Sequence, residues 1–135
     1  MREIKTHEVD ELGPTMSVWA VDEPGPGGAC HHYRVIWDPD RTADSAIPIA
    51  YRDGKPPQYI DIHFQKGPRG ENDCNGLLEP ALLAIIEDRM VSFQQGPFSS
   101  VEGSQALGAV RLALSYLHDR VRDRLRRGVQ GLSKT

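Results

Sequence analysis

Hydrophobic positions change their period near residue 77. Before that point apolar residues come in short runs or alternate with polar ones, and after it they recur every three or four residues. The first part predicts strands. Residues 16–21 are rich in β-prone side chains and stop at a Pro/Gly run over 22–28 that breaks any ladder. A second strand is expected over 32–37, closed by Asp38 and Pro39, and a short edge strand over 47–51 among turn formers. Residues 59–64 alternate, placing Ile60, Ile62 and Phe64 on one face unless a bulge divides them, and Tyr59, Asp61 and His63 on the other. Residues 1–15 are polar, end near Gly13-Pro14 and read as a loosely attached arm.

The second part predicts two helices. The first spans about 77–95, with Pro80 tolerated in its first turn and an apolar stripe of Leu78, Leu82, Ile85, Ile86, Met90 and Phe93. Gly96 is expected to end it in the left-handed region, and Pro97 forbids continuation. Ser99-Ser-Val-Glu102 reads as a capping box for the next helix, which extends over about 100–127, or about 42 Å, and ends at Gly128. Leu107, Val110, Leu114, Leu117 and Val121 form a coiled-coil-like seam on it. Ala106, Ala109, Ala113 and Tyr116 form a second strip, suited to close approach by another copy or, in the plainer reading, to cover by the sheet within one monomer. The expected fold is therefore α+β: a small antiparallel sheet over 16–66, then a long two-helix hairpin over 67–135 that oligomerises through its helices.

Composition narrows the chemistry. The 135 residues carry a formal net charge of -3, which disfavours a sequence-independent nucleic-acid binder. No apolar run is long enough to span a bilayer, and the charged first residues do not read as a signal peptide, so the expectation is a protein of the cytoplasm. Cys30 and Cys74 are read as reduced thiols. Basic character is confined to the end of the second helix. There Arg120, Arg124 and Arg127 recur at steps of four and three, so that their guanidinium groups can fork onto phosphate oxygens. The plainer reading is that these arginines only complement the helix dipole. Phe93 has the same duality: core ring, or stacking platform for a nucleobase.

Other patterns are thinner. The run 24–29 shares glycine content with phosphate-cradling loops but lacks their Lys-Ser/Thr ending. Cys30, His31 and His32 are metal-ligand types without a second ligand pair in the sequence, so no metal is assigned. Glu87 and Asp88 are adjacent and point to different parts of a helix surface, and no nucleophile, histidine and carboxylate share catalytic spacing. The chain is not expected to be an enzyme.

Several segments together carry a resemblance: 22–33 (DEPGPGGACHHY), 64–68 (FQKGP), 75–79 (NGLLE), Asp88-Arg89, 93–98 (FQQGPF) and 127–131 (RGVQG). In this order, over residues 16 to 135, the chain resembles the phage-encoded Thoeris anti-defence sponges, whose helical hairpin is shared with anti-CBASS sponges. The resemblance implies a protein acting in the cytoplasm of an infected bacterial host. It would bind the Thoeris messenger, a glycocyclic isomer of cyclic ADP-ribose, and withhold it from the effector without cleaving it. It also implies a homodimer, or a hexamer built from dimers, with pockets between subunits, no cofactor, and in some members separate sites for CBASS cyclic oligonucleotides. Membrane and nucleic-acid partners are not implied. Carried over by position, Phe93 resembles the adenine-stacking ring, and Arg120 and Arg124 resemble phosphate contacts. Gln94, Glu102, Gly103, Arg127 and Asn75 complete the candidate ligand site. The chain departs from the pattern at Gly103, where the family commonly has Asn, at Val121 for Thr and at Gln130 for Glu. The loop 22–30 and linker 66–76 are candidate lids; a CBASS cyclic di- or trinucleotide sponge is the alternative among binding proteins, and a nucleic-acid-binding regulator the alternative from another class.

Overall fold

A computed structural model describes residues 1–8, 16–37, 46, 54–56, 58–128 and 131–133. The chain divides into two units, Met1–Lys66 and Gly67–Thr135. The first holds four strands, β1 (Arg2–Ile4), β2 (Ser17–Ala20), β3 (His32–Ile36) and β4 (Tyr59–His63), in one antiparallel sheet of order β1-β2-β3-β4. The second holds α1 (Glu79–Gln95) and α2 (Val101–Arg126). The α+β reading holds.

The N-terminal residues correct one expectation. Arg2–Ile4 is not part of a loose arm but an edge strand, with Glu3 opposite Trp19 and Ile4 opposite Val18. A three-residue edge strand of mixed polarity carries too little alternation to be recognised alone, and its partner supplies the ladder. The edge strand expected over 47–51 lies outside the described residues.

Register decides which face is buried. Ser17 pairs with Ile36 and Trp19 with Arg34, while Ile36 pairs with Tyr59 and Arg34 with Asp61, so all of these share one face. That face carries Trp19, 7% exposed, and Ile36, 0%, which cluster with Ala46, 2%, while Ala20, 1% exposed, is buried on the opposite face. Trp19 Nε1 donates to the buried Ser17 hydroxyl at 3.0 Å. No residue of β4 is buried, whether on the Trp19 face or on its apolar one, where Ile60 is 51% exposed. Phe64 stays on that side, meeting Tyr33 edge to face at 5.6 Å, so the alternation runs on past the end of β4 without a bulge.

A polar group set into the core face needs partners. Arg34 supplies them by forking onto Asp61, Nε to Oδ1 at 2.7 Å and Nη2 to Oδ2 at 3.2 Å, while Nη1 donates to the Ala46 carbonyl at 3.0 Å. The Arg34 guanidinium holds the Asp61 carboxyl below the ordinary carboxylate range, against the upward push of burial and with help from His32. Asp22 is also lowered: burial pushes it up, but the backbone N–H groups of His32 and His31, at 3.0 Å, outweigh this. Both carboxyls therefore contribute stability above their unfolded pKa of about 3.9 and lose it as pH falls through their lower folded values. Thermal melts followed by Trp fluorescence should fall steeply below about pH 4. Asp61→Asn should flatten that acid limb, and a wild-type melting temperature unchanged from pH 6 to about 2 would contradict the account.

Candidate functional site

The hairpin begins without a side-chain cap at Leu78, and Pro80 occupies the first turn of α1. Gly96 ends α1 with φ -107° and ψ -170°, an extended conformation, so the expected left-handed glycine is not there. A left-handed glycine stands instead at the end of α2, where Gly128 has φ +70° just beyond the Arg127 C-cap. The capping box also shifts by one residue. Ser100, not Ser99, is the N-cap, and its hydroxyl accepts from Gly103 N at 2.9 Å. Glu102 is then one position too early to reach back as a capping-box partner, and it stands exposed in the first turn.

The seam between the helices is half-buried. Leu82, Leu83, Met90 and Val91 of α1 and Leu107, Val110, Leu114 and Leu117 of α2 occupy it, with Ala106 and Ala113 beside them. No residue of either helix is buried among those described. Leu78, Ile85, Ile86 and Phe93 of the expected α1 stripe remain exposed, as do Ala109, Tyr116 and Val121 of α2. Arg111 Nε meets Glu87 Oε2 at 3.2 Å across the hairpin and marks its register.

That register separates the candidate residues. Phe93 lies toward the tip from Glu87, whereas Arg120 lies toward the open end from Arg111. At ~1.5 Å per residue the two are about 22 Å apart along the axis, and Arg124 is about 28 Å from Phe93. A single hairpin therefore presents two groups at opposite ends. Gln94, Glu102 and Gly103 are at the tip with Phe93; Arg120, Arg124 and Arg127 are at the open end of the same unit, and exposed Asn75 stands in the stretch leading into α1.

At the tip, Phe93 is 48% exposed and the Arg89 guanidinium carbon stands 5.5 Å from its ring centroid. This cation was overlooked in the sequence although residues four apart on a helix are neighbours. Gln94 does not project freely. Its Nε2 donates to Ser100 O at 2.9 Å and its Oε1 accepts from Ser100 N at 3.1 Å, so the amide bridges the turn. Gly103 makes room for that bridge, since a Cβ there would lie 2.6 Å from Gln94 Oε1 and 3.0 Å from Ser100 Oγ. Gly103→Asn should consequently cost about 1 kcal/mol of stability, within the range for coupled neighbours. In a Gln94→Ala background most of that cost should vanish. Equal costs in both backgrounds, read by denaturant unfolding, would remove the bridge as the reason for glycine.

At the open end the arginines are interleaved with acids that sequence spacing had passed over. Arg122 meets Asp119 at 3.2 Å, Arg127 Nε meets Asp123 at 3.0 Å and Arg126 reaches Asp123 at 3.7 Å. Arg124 Nη2 donates to the Leu132 carbonyl at 2.8 Å. Residues 131–133 fold back here: Glu71 accepts from Ser133 N at 2.8 Å and from its hydroxyl at 2.6 Å, and Gly70 packs directly on Gly131. Arg120 is exposed and has no hydrogen-bond or ion-pair partner among the described residues. Of the three arginines expected to hold phosphate, it is the one left available. Gln130 lies outside the described residues. Cys30 is buried and donates to the Asp22 carbonyl at 3.3 Å, Cys74 is exposed, and both are free thiols.

No family model matches the chain. Among curated proteins it is similar to "Thoeris anti-defense 1" of Bacillus phage SBSphiJ7, with 34% identity over 70 residues. The match supports the Thoeris anti-defence family. It covers 52% of this chain and 49% of that protein, so the chain spans about half the length of the relative it matches. Among the described residues no helix is long and apolar enough to cross a membrane.

Proposed function

We propose that this protein opposes Thoeris defence by binding a messenger nucleotide, glycocyclic ADP-ribose, and withholding it from its effector without cleaving it. The similarity to a Thoeris anti-defence protein carries this reading. The hairpin's chemistry fits it: an exposed ring beside a guanidinium suits a purine, and an unpaired arginine suits a phosphate.

Because Phe93 and Arg120 are about 22 Å apart in one hairpin, they act on one messenger only if two copies contribute. Two hairpins related by a twofold axis and laid antiparallel bring the tip of one to the open end of the other. The exposed apolar residues of both helices, Ile85, Ile86, Leu112 and Tyr116, supply the surface for that pairing. Sequestration then works by mass action: an abundant binder lowers the free messenger, each tenfold in affinity requiring about 1.4 kcal/mol.

Gel filtration of the protein with glycocyclic ADP-ribose, and separately with cyclic di- and trinucleotides, tests the ligand class. The messenger should co-elute with a dimer or a hexamer built from dimers. Retention of the cyclic oligonucleotides alone would transfer the reading to a CBASS sponge. Retention of neither, by a monomer, would remove it.

A further inference from the structure

We propose that His32, Asp61 and His63 form a transition-metal site, best suited to zinc, that clips β4 to β3. The sequence offered only the Cys30-His31-His32 run. The fold splits that run, turning the Cys30 thiol onto the Asp22 carbonyl while His32 faces β4. The missing second pair of ligands comes from the neighbouring strand. His63 is directly opposite His32 in register, and Asp61, two residues away on β4, shares its face.

The ligand atoms of the three residues all lie within 4.8 Å of one another. His32 Nε2 and Asp61 Oδ1 are 3.1 Å apart. Two ligands on a tetrahedral zinc at ~2.0–2.1 Å are separated by about 3.3 Å, so this pair already has the spacing required. The His32 and His63 rings stack at 4.3 Å between centroids and 24° between planes. His63 is exposed, so a turn of its ring brings its nitrogen to the same centre. His32 Nε2 is buried, and its contact with Asp61 Oδ1 at 3.1 Å falls short of a well-aligned hydrogen bond, so an ion between the two would satisfy both atoms.

The donor set is two imidazoles and one carboxylate, which suits zinc, with the fourth position left to water. Arg34 orients the Asp61 carboxylate by forking onto both of its oxygens. On metal binding Oδ1 exchanges the Arg34 Nε bond for the ion, while Oδ2 keeps Nη2 as the outer partner that ligating carboxylates ordinarily have. The site lies entirely within the N-terminal unit.

The test is titration of chelator-stripped, full-length protein with zinc(II) by calorimetry, and with cobalt(II) by visible absorption. One ion per chain is expected, with a tetrahedral or five-coordinate cobalt spectrum and a higher melting temperature. His63→Gln, at an exposed position that spares the fold, should weaken binding at least tenfold, and so should His32→Gln. Wild-type protein that takes up no stoichiometric ion, or His63→Gln and His32→Gln proteins that both bind as tightly as wild type, would overturn the assignment.

Discussion

Replacing Phe93 with Ala is expected to weaken messenger binding by about 1–3 kcal/mol, the range for loss of a base-stacking ring, while the protein stays folded and assembled. A core phenylalanine would behave differently, costing about 3–5 kcal/mol of stability through the cavity it leaves. The exposure of the ring, 48%, separates the two cases: half of its surface already meets solvent, and truncation opens no closed void. Phe93→Trp should retain much of the affinity, because it keeps a flat aromatic face. Arg89→Ala should reduce affinity by a smaller amount, since its guanidinium stands beside the ring. A thermal melt and a titration on one preparation give the result. A folded Phe93→Ala protein with undiminished binding would withdraw the stacking role.

Arg120→Ala is expected to cost about 1.5–3 kcal/mol of affinity, the range for hydrogen bonds to a charged group, with helix content unchanged. Arg124→Ala should act differently, because its guanidinium holds the Leu132 carbonyl. Its removal should free residues 131–133, seen as faster amide exchange there, as well as weaken binding. If pockets are shared, each variant lacks a different half. Subunits of Phe93→Ala and Arg120→Ala exchanged together would then form mixed dimers with one intact pocket, so binding would reappear in the mixture. A mixture that binds no better than its two components would mean that Phe93 and Arg120 serve separate ligands or none.

Much of the architecture was legible because it rests on periodicity. The alternation of 59–64, the Pro/Gly run after residue 21 and the seam from Leu107 to Leu117 each follow from one repeating rule. What escaped depended on pairing between distant residues. Arg2–Ile4 is a strand only because β2 accepts it. Which side of β4 shares a face with Trp19 and Ile36 was set by register through β3, not by its own isoleucines. At the hairpin tip the Gln94 amide takes over Ser100, which moves the cap by one residue and leaves Gly96 extended. The arginine spacing suggested that the three guanidinium groups converge, yet Asp123 claims Arg127 and the Leu132 carbonyl claims Arg124, which leaves Arg120. The His32, Asp61 and His63 grouping was hidden for the same reason, since thirty residues of sequence separate its halves.

The central claim, that a messenger is bound and kept intact, is tested most directly by mass spectrometry of what the protein releases. The protein is incubated with glycocyclic ADP-ribose, separated from free ligand, denatured by heat, and the released material is weighed. The account predicts recovery of unaltered glycocyclic ADP-ribose, in amounts that fall in the Phe93→Ala and Arg120→Ala proteins. Release of a hydrolysed or linear product, or of no nucleotide, would contradict it.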